Sequence, residues 1–123
     1  MIMRKRQPII YMLASRRNGT LYTGVTSDLL QRVYQHRNEL LGGVTKNLSI
    51  KRLVWYEAHD RMESAIIREK RIKSWKRDWR INLIVGMNPH WRDLTIDLGF
   101  PPLPPLPVLR TSRSGDGFLP SQE

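Results

Sequence analysis

The sequence predicts an α+β domain, a small antiparallel sheet with helices packed on it in the order β-β-α-β-α-α. Three observations support this. Two β-rich runs flank the turn-forming pair Asn18-Gly19, and a third such run, Leu53 to Ala58, stands apart from them. Between and after these runs lie stretches with helical periodicity and capping residues.

Ile9 to Ser15 reads as the first strand and Thr20 to Val25 as the second. Arg17-Asn18-Gly19 supplies the turn, because Asn and Gly tolerate positive φ. Ser27 or Asp28 can cap a helix running to about Leu41, with Gly42-Gly43 ending it. Leu53 to Ala58 (LVWYEA) is the third strand. Asp60 followed by Glu63 resembles a capping box for a long helix to about Lys76. A further helical piece covers Trp79 to Val85, Asn88-Pro89 breaks it, and His90 to Leu94 closes the compact part. This divides the chain into a domain over residues 5–95 and a tail over residues 96–123. The tail run PPLPPLPVL has five prolines in nine residues, and the Ser- and Gly-containing segment after it has little to bury. It is expected to be disordered or an extended arm, with a proline-motif contact to a protein partner as the other reading.

The chain has 123 residues, 21 Lys and Arg against 11 Asp and Glu, and a net charge of +10. From Pro101 onward, Arg110 and Arg113 balance Asp116 and Glu123, so all of the excess lies on residues 1–100. A folded unit this basic concentrates polyanions near its surface, which makes nucleic acid the expected partner. Cysteine is absent, which excludes disulfides, a thiol nucleophile and thiolate metal sites. The opening residues mimic a signal peptide, but the apolar run Ile9 to Ala14 is short and Arg16-Arg17 follow at once. No stretch reaches membrane-spanning length, so a soluble, cytoplasmic protein is expected.

The hairpin offers the first candidate chemistry. In a two-residue Asn18-Gly19 turn, Tyr22 faces Ser15 and Tyr11 faces Thr26. Tyr11 and Tyr22 then share a sheet face, roughly 13 Å apart along the ribbon, and a wider loop brings them closer. Gly24 nearby would leave backbone open to a ligand. The plain alternative is a pair of core-packing tyrosines. In the first helix, Leu29, Val33, His36 and Leu40 form one stripe with Arg32 on its edge. Arg32 and His36 can hold a phosphate, or be a snorkelling surface residue and an interior histidine.

The long helix is more informative. Met62, Ala65, Ile66 and Ile72 define its apolar side, with Glu69 in the middle. A carboxylate facing a core must be paired or bound to a cation. Glu69 either pairs with Arg32 or coordinates a hard ion such as Mg²⁺, and position alone leaves both open. The basic run Arg68 to Arg80, with Trp75 and Trp79 interleaved, reads partly as a nucleic-acid surface and partly as the solvated side of a helix with two aromatic anchors in the core. Three histidines without cysteine make a zinc cluster unpromising, and no phosphate-binding glycine loop or nucleophile elbow is present.

Taken in order, these features resemble the GIY-YIG nuclease superfamily, over about residues 8–95. Ile9-Ile10-Tyr11 stands at the first motif and Tyr22-Thr23-Gly24, within LYTGVTSDL, at the second. Further matches are LLQRVYQHRN, GGVTKNLSIKRLVWYE, SAIIREKRIKSW and the closing NPHWRDL. The chain is similar to the short stand-alone bacterial members. It departs at Ile9, where Gly is usual, and at Leu48, where many relatives have Tyr. Neither change removes a proposed catalytic group.

The resemblance implies a three-stranded antiparallel sheet flanked by helices and an endonuclease acting on DNA, at single-stranded or branched sites. A catalytically silent nucleic-acid-binding module is the alternative. It implies that Glu69 binds one divalent ion, Mg²⁺ or Mn²⁺, and that Arg32 neutralises a phosphate oxygen. Tyr11 would position or deprotonate the attacking water and Tyr22 contact the phosphate, in assignments that can be exchanged. His36 would be a hydrogen-bonding partner or proton acceptor. Asn88, with Asn82 as its rival, would order the site from its edge.

Overall fold

The structure, a computed structural model, describes residues 6–40 and 50–103. The elements run β1 (Ile9–Ala14), β2 (Leu21–Thr26), α1 (Leu29–Arg37), β3 (Arg52–Ala58), α2 (Met62–Ser74) and α3 (Arg77–Met87), then a 3₁₀ turn, Ile96–Leu98. The strands form one antiparallel sheet in the order β2-β1-β3, so the expected α+β architecture is the observed one.

Strand β1 is apolar at every position because it is central and covered on both sides. Ile10, Met12 and Ala14 pack with Ala65 and Ile72 of α2 and Ile84 of α3. Tyr11 and Leu13 point the other way, against Leu29 and Val33 of α1 and against Ile50, Leu53 and Leu94. Each fully buried aliphatic side chain contributes about 1.5–3 kcal/mol by leaving water. Two half-cores separated by one sheet therefore hold α1 on one face and α2 with α3 on the other. Between Met12 and Leu13 the β1–β3 register shifts, and the partners step from Trp55 to Leu53. The extra residue of such a bulge breaks side-chain alternation, so adjacent Val54 and Trp55 share one cluster.

The hairpin is wider than a two-residue turn. Ala14 pairs with Leu21 and Tyr11 with Gly24, so Tyr22 faces Leu13, not Ser15. The loop is closed by its own bonds: the Ser15 amide donates to the Thr20 carbonyl (3.0 Å), and the Gly19 amide to the Arg16 carbonyl (2.8 Å). Asn18, with φ 57°, takes the left-handed conformation. The register moves by an even number of residues, so Tyr11 and Tyr22 keep a common face and come closer.

Helix α1 starts as expected, with the Asp28 carboxylate accepting from the Gln31 amide at 3.2 Å. It ends at Arg37, well before Leu41. The Asn38 side chain donates to the Tyr34 carbonyl (2.9 Å) and Glu39 turns left-handed at φ 56°. Leu40 is thereby carried off the buried stripe into solvent. The expected stop at Gly42-Gly43, the stretch around Leu48 and the tail beyond residue 103 lie outside the described residues.

The capping box at α2 does not form. Arg61 is the N-cap and no side chain caps the first turn, while Glu63 turns to the exposed Arg61 guanidinium at 3.4 Å. The helix stops at Ser74 because Trp75 is extended. Its buried stripe is Ala65, Glu69 and Ile72. Ile66 is not part of it, because the helix is rolled toward the Ala65–Ile72 side and leaves Ile66 exposed.

Packing continues past residue 95, since Leu98 and Phe100 lie against the cluster around Tyr11 and Leu13. The segment after α3 covers the outer edge of β3. The Leu94 amide donates to the Leu53 carbonyl (2.8 Å) and the Leu53 amide to the Asp93 carboxylate (3.3 Å). An edge strand left bare invites pairing with other chains, and this segment covers it at Leu53 and Val54. Among the described residues, no helix is long and apolar enough to cross a membrane.

Candidate active site

Four of the singled-out side chains converge on the α1 face of the sheet. Tyr11 comes from the central strand, Tyr22 from the neighbouring strand, and Arg32 and His36 from one side of α1, four residues apart and so on adjacent turns. The rings of Tyr11 and Tyr22 are 6.2 Å apart, those of Tyr11 and His36 5.8 Å, and those of Tyr22 and His36 5.5 Å. Arg32 Nη1 donates to the Tyr11 hydroxyl oxygen at 3.3 Å, and that hydroxyl lies 3.2 Å from His36 Nε2. The Tyr11 hydroxyl thus sits in one hydrogen-bonded group with the Arg32 guanidinium, the His36 imidazole and the Tyr22 phenol.

Gly24 makes this packing possible. A methyl carbon on Gly24 would sit 2.6 Å from the Tyr11 hydroxyl oxygen and 2.7 Å from Cζ. The space over Gly24 is thus filled by the Tyr11 ring and is not open to a ligand.

Burial sets the protonation states. Tyr11 is pushed up to about 12 by burial first and by Tyr22 second, against the lowering effect of Arg32. The phenol is therefore neutral near pH 7. His36 is pulled down to about 4, by burial first and by the Arg32 charge second. It is a neutral imidazole, and its Nδ1 is buried without a hydrogen-bond partner.

This has a consequence for stability. Above about pH 6.5 the imidazole is neutral in both folded and unfolded chains. As the pH falls from 6.5 toward 4, only the unfolded chain takes up the proton, and stability is lost by up to a few kcal/mol; below about 4 this contribution is constant. Urea unfolding of wild type and His36→Gln from pH 4 to 7 should show a shallower pH slope for the variant. Parallel slopes would contradict the buried neutral imidazole.

Glu69 is not bonded to these four. It is buried, at 6% exposure, on α2, which packs on the face of the sheet opposite the four, so the structure does not bring it into their group. Its partner is Lys73 on the next turn. The pairing of Glu69 with Arg32 allowed by the sequence does not form, because Arg32 turns to Tyr11. A buried carboxylate paired with a half-exposed lysine has the donor chemistry for a hard divalent ion. Among the described residues no group of three or more His, Asp or Glu could hold a metal. Any ion on Glu69 would take its remaining ligands chiefly from water, as Mg²⁺ tolerates.

Asn88 is buried and wholly occupied with backbone. Its Nδ2 donates to the carbonyls of Val54 (3.2 Å) and Arg92 (2.9 Å), and its Oδ1 accepts from the Arg92 amide (3.0 Å). It caps α3 and pins the following turn to β3, while Asn82 is exposed. Along the basic run Trp75 packs at the margin of the core and Trp79 does not, so the sequence's reading of two aromatic core anchors is corrected. Arg68 covers Trp75 at 5.3 Å and reaches Glu57 through two bonds. Trp79 stacks edge-on against Trp75 at 5.9 Å with over half its surface in solvent. What the sequence did not reveal is a polar group around Asp93, joining α1, β3 and the 3₁₀ turn. A lone Asp in a loop gives no signal of partners tens of residues away.

Comparison with known proteins settles the family, because the model of the GIY-YIG catalytic domain matches residues 7–82. The chain belongs to the GIY-YIG family. The matched span contains Tyr11, Tyr22, Arg32, His36 and Glu69, and ends before Asn88. The chain is also similar to the UPF0213 protein SSP2268 of Staphylococcus saprophyticus, 34% identical over 75 residues, covering 61% of this chain and 90% of that one. A solution NMR structure of the UPF0213 protein BH0048 from Bacillus halodurans is similar at 25% identity and a TM-score of 0.47, covering 72% of this chain and 94% of that one. GIY-YIG domains are catalytic domains of nucleases, which act on nucleic acid and generally depend on a divalent metal.

Proposed function

We propose that this GIY-YIG domain is a metal-dependent endonuclease that hydrolyses DNA phosphodiester bonds at single-stranded or branched sites. The observation that carries the reading is the bonded group of Arg32, Tyr11 and His36 beside Tyr22. Structural tyrosines need no guanidinium on the hydroxyl and no buried imidazole beside it. A site for phosphoryl chemistry uses all three, as charge for the phosphate and groups to move a proton.

In this reading Arg32 meets a non-bridging phosphate oxygen and Tyr22, only half-buried, contacts the phosphate beside it. Tyr11 orients the attacking water, with His36 Nε2 within hydrogen-bond reach of its hydroxyl. Glu69 would hold the divalent ion, Mg²⁺ or Mn²⁺, which supplies Lewis-acid stabilisation of developing charge. A neutral phenol near pH 7 is an orienting group first. It serves as the base only where added positive charge lowers it. Asn88 contributes by keeping the β3 edge covered at Val54.

The net charge of +10 supports a polyanionic substrate. Incubating the protein with labelled duplex, flap, junction and single-stranded DNA, with Mg²⁺, Mn²⁺ or EDTA, tests the proposal. Strand scission that needs the metal is the expected result. Salt-sensitive binding without scission would make the domain a silent binding module.

A further inference from the structure

We infer that Asp93 is a positioning residue for the active site: through Arg37 it fixes the last turn of α1, and with it the place of His36 against Tyr11. The inference rests on the endonuclease reading for its effect on rate, though not for its effect on His36.

Helix α1 has nine residues, too few to hold its place by propensity alone. Its first turn is tied down by Asp28, and its last turn by Arg37. That guanidinium lies beneath the helix end, and its side chain is 10% exposed. Nη1 donates to Thr95 Oγ1 at 3.0 Å and Nη2 to the Pro101 carbonyl, while the plane covers the Phe100 ring at 5.3 Å. A charge this deep needs a counter-charge, and Asp93 Oδ2 supplies it at 3.6 Å.

Asp93 is itself immobile. Oδ1 accepts from the Leu53 amide (3.3 Å), the Thr95 amide (3.1 Å) and Thr95 Oγ1 (2.7 Å). The strut therefore runs from β3, through Asp93 and Arg37, into the residue next to His36. Oδ2 is buried and has no hydrogen bond, so the Arg37 charge is what it faces. The strut ends beside the contact between His36 Nε2 and the Tyr11 hydroxyl, and misplacement by about 1 Å at such a contact is enough to cost large factors in rate.

Asp93→Asn in the full chain separates this role from simple folding. The carboxamide keeps an acceptor for Leu53 and Thr95 but sets an N–H donor against the guanidinium. The groups facing His36 (Arg32, Tyr11 and Tyr22) are untouched. We expect kcat for DNA cleavage to fall roughly tenfold to a hundredfold, with KM changed by less than about twofold. In NMR titration, the His36 ring should titrate near 4 in the wild type and move toward the ordinary histidine value in the variant as the last turn loosens. Arg37→Gln should reproduce both changes, and the double variant should add little to either. If Asp93→Asn does not fold, Arg37→Gln carries the test.

An unchanged His36 titration in folded variants would overturn the inference whether or not the protein cuts DNA. A moved titration with a wild type that cuts nothing would instead overturn the endonuclease reading alone. Unchanged kcat despite a moved titration would show that the strut does not serve the reaction.

Discussion

Glu69→Ala is expected to lower metal-dependent DNA cleavage by at least roughly a hundredfold while leaving the fold intact. The carboxylate is buried and its ionic partner, Lys73, is half-exposed. Once released, the ammonium returns to water at little cost, so the substitution leaves no unpaired charge buried. The same substitution should abolish any rise in Tm that Mg²⁺ gives the wild type, because a ligand stabilises a chain only where it binds the folded form. Cleavage and thermal shift together separate loss of the ion from loss of the fold. A variant that still cuts at the wild-type rate would remove Glu69 from the mechanism.

Gly24→Ala is the second large effect. The added methyl would meet the Tyr11 hydroxyl oxygen at 2.6 Å, and Tyr11 is fully buried. The ring must move, and it is held between His36, Arg32 and Tyr22. Overpacking of this kind costs about 1–3 kcal/mol. Displacing the hydroxyl from Arg32 and His36 should slow cleavage by roughly a hundredfold. Urea unfolding with single-turnover cleavage checks both. Wild-type stability and rate would mean that Tyr11 has room the contacts deny.

The sheet and the helix order were legible because burial writes directly into sequence. Strand β1 is apolar throughout because both faces are covered, and α1 carries Leu29, Val33 and His36 on the side that meets the sheet. The shared face of Tyr11 and Tyr22 survived a wrong register because the loop closed wider by an even step. The width itself was hidden, since Ser15 and Thr20 close the loop through bonds that no propensity scale encodes.

Pairings set by three-dimensional context were not legible. Asp60 had the pattern of a cap without making one, and Glu69 chose Lys73 on its own helix over Arg32. Asp93 could not be read at all, because Leu53 and Arg37 reach it only after the chain has folded. Tyr11, Tyr22, Arg32 and His36, which the fold brings together, could be singled out in the sequence, while the strut behind them needed coordinates.

The most direct test of the active-site assignment compares DNA binding and single-turnover cleavage by wild type and Tyr11→Phe, with Mg²⁺ present. The substitution removes one oxygen, the one shared by Arg32 and His36, and leaves the ring over Gly24. Binding should be equal at every salt concentration, and the cleavage rate should fall by roughly a hundredfold or more. Equal rates for the two proteins would contradict a reaction centred on this hydroxyl.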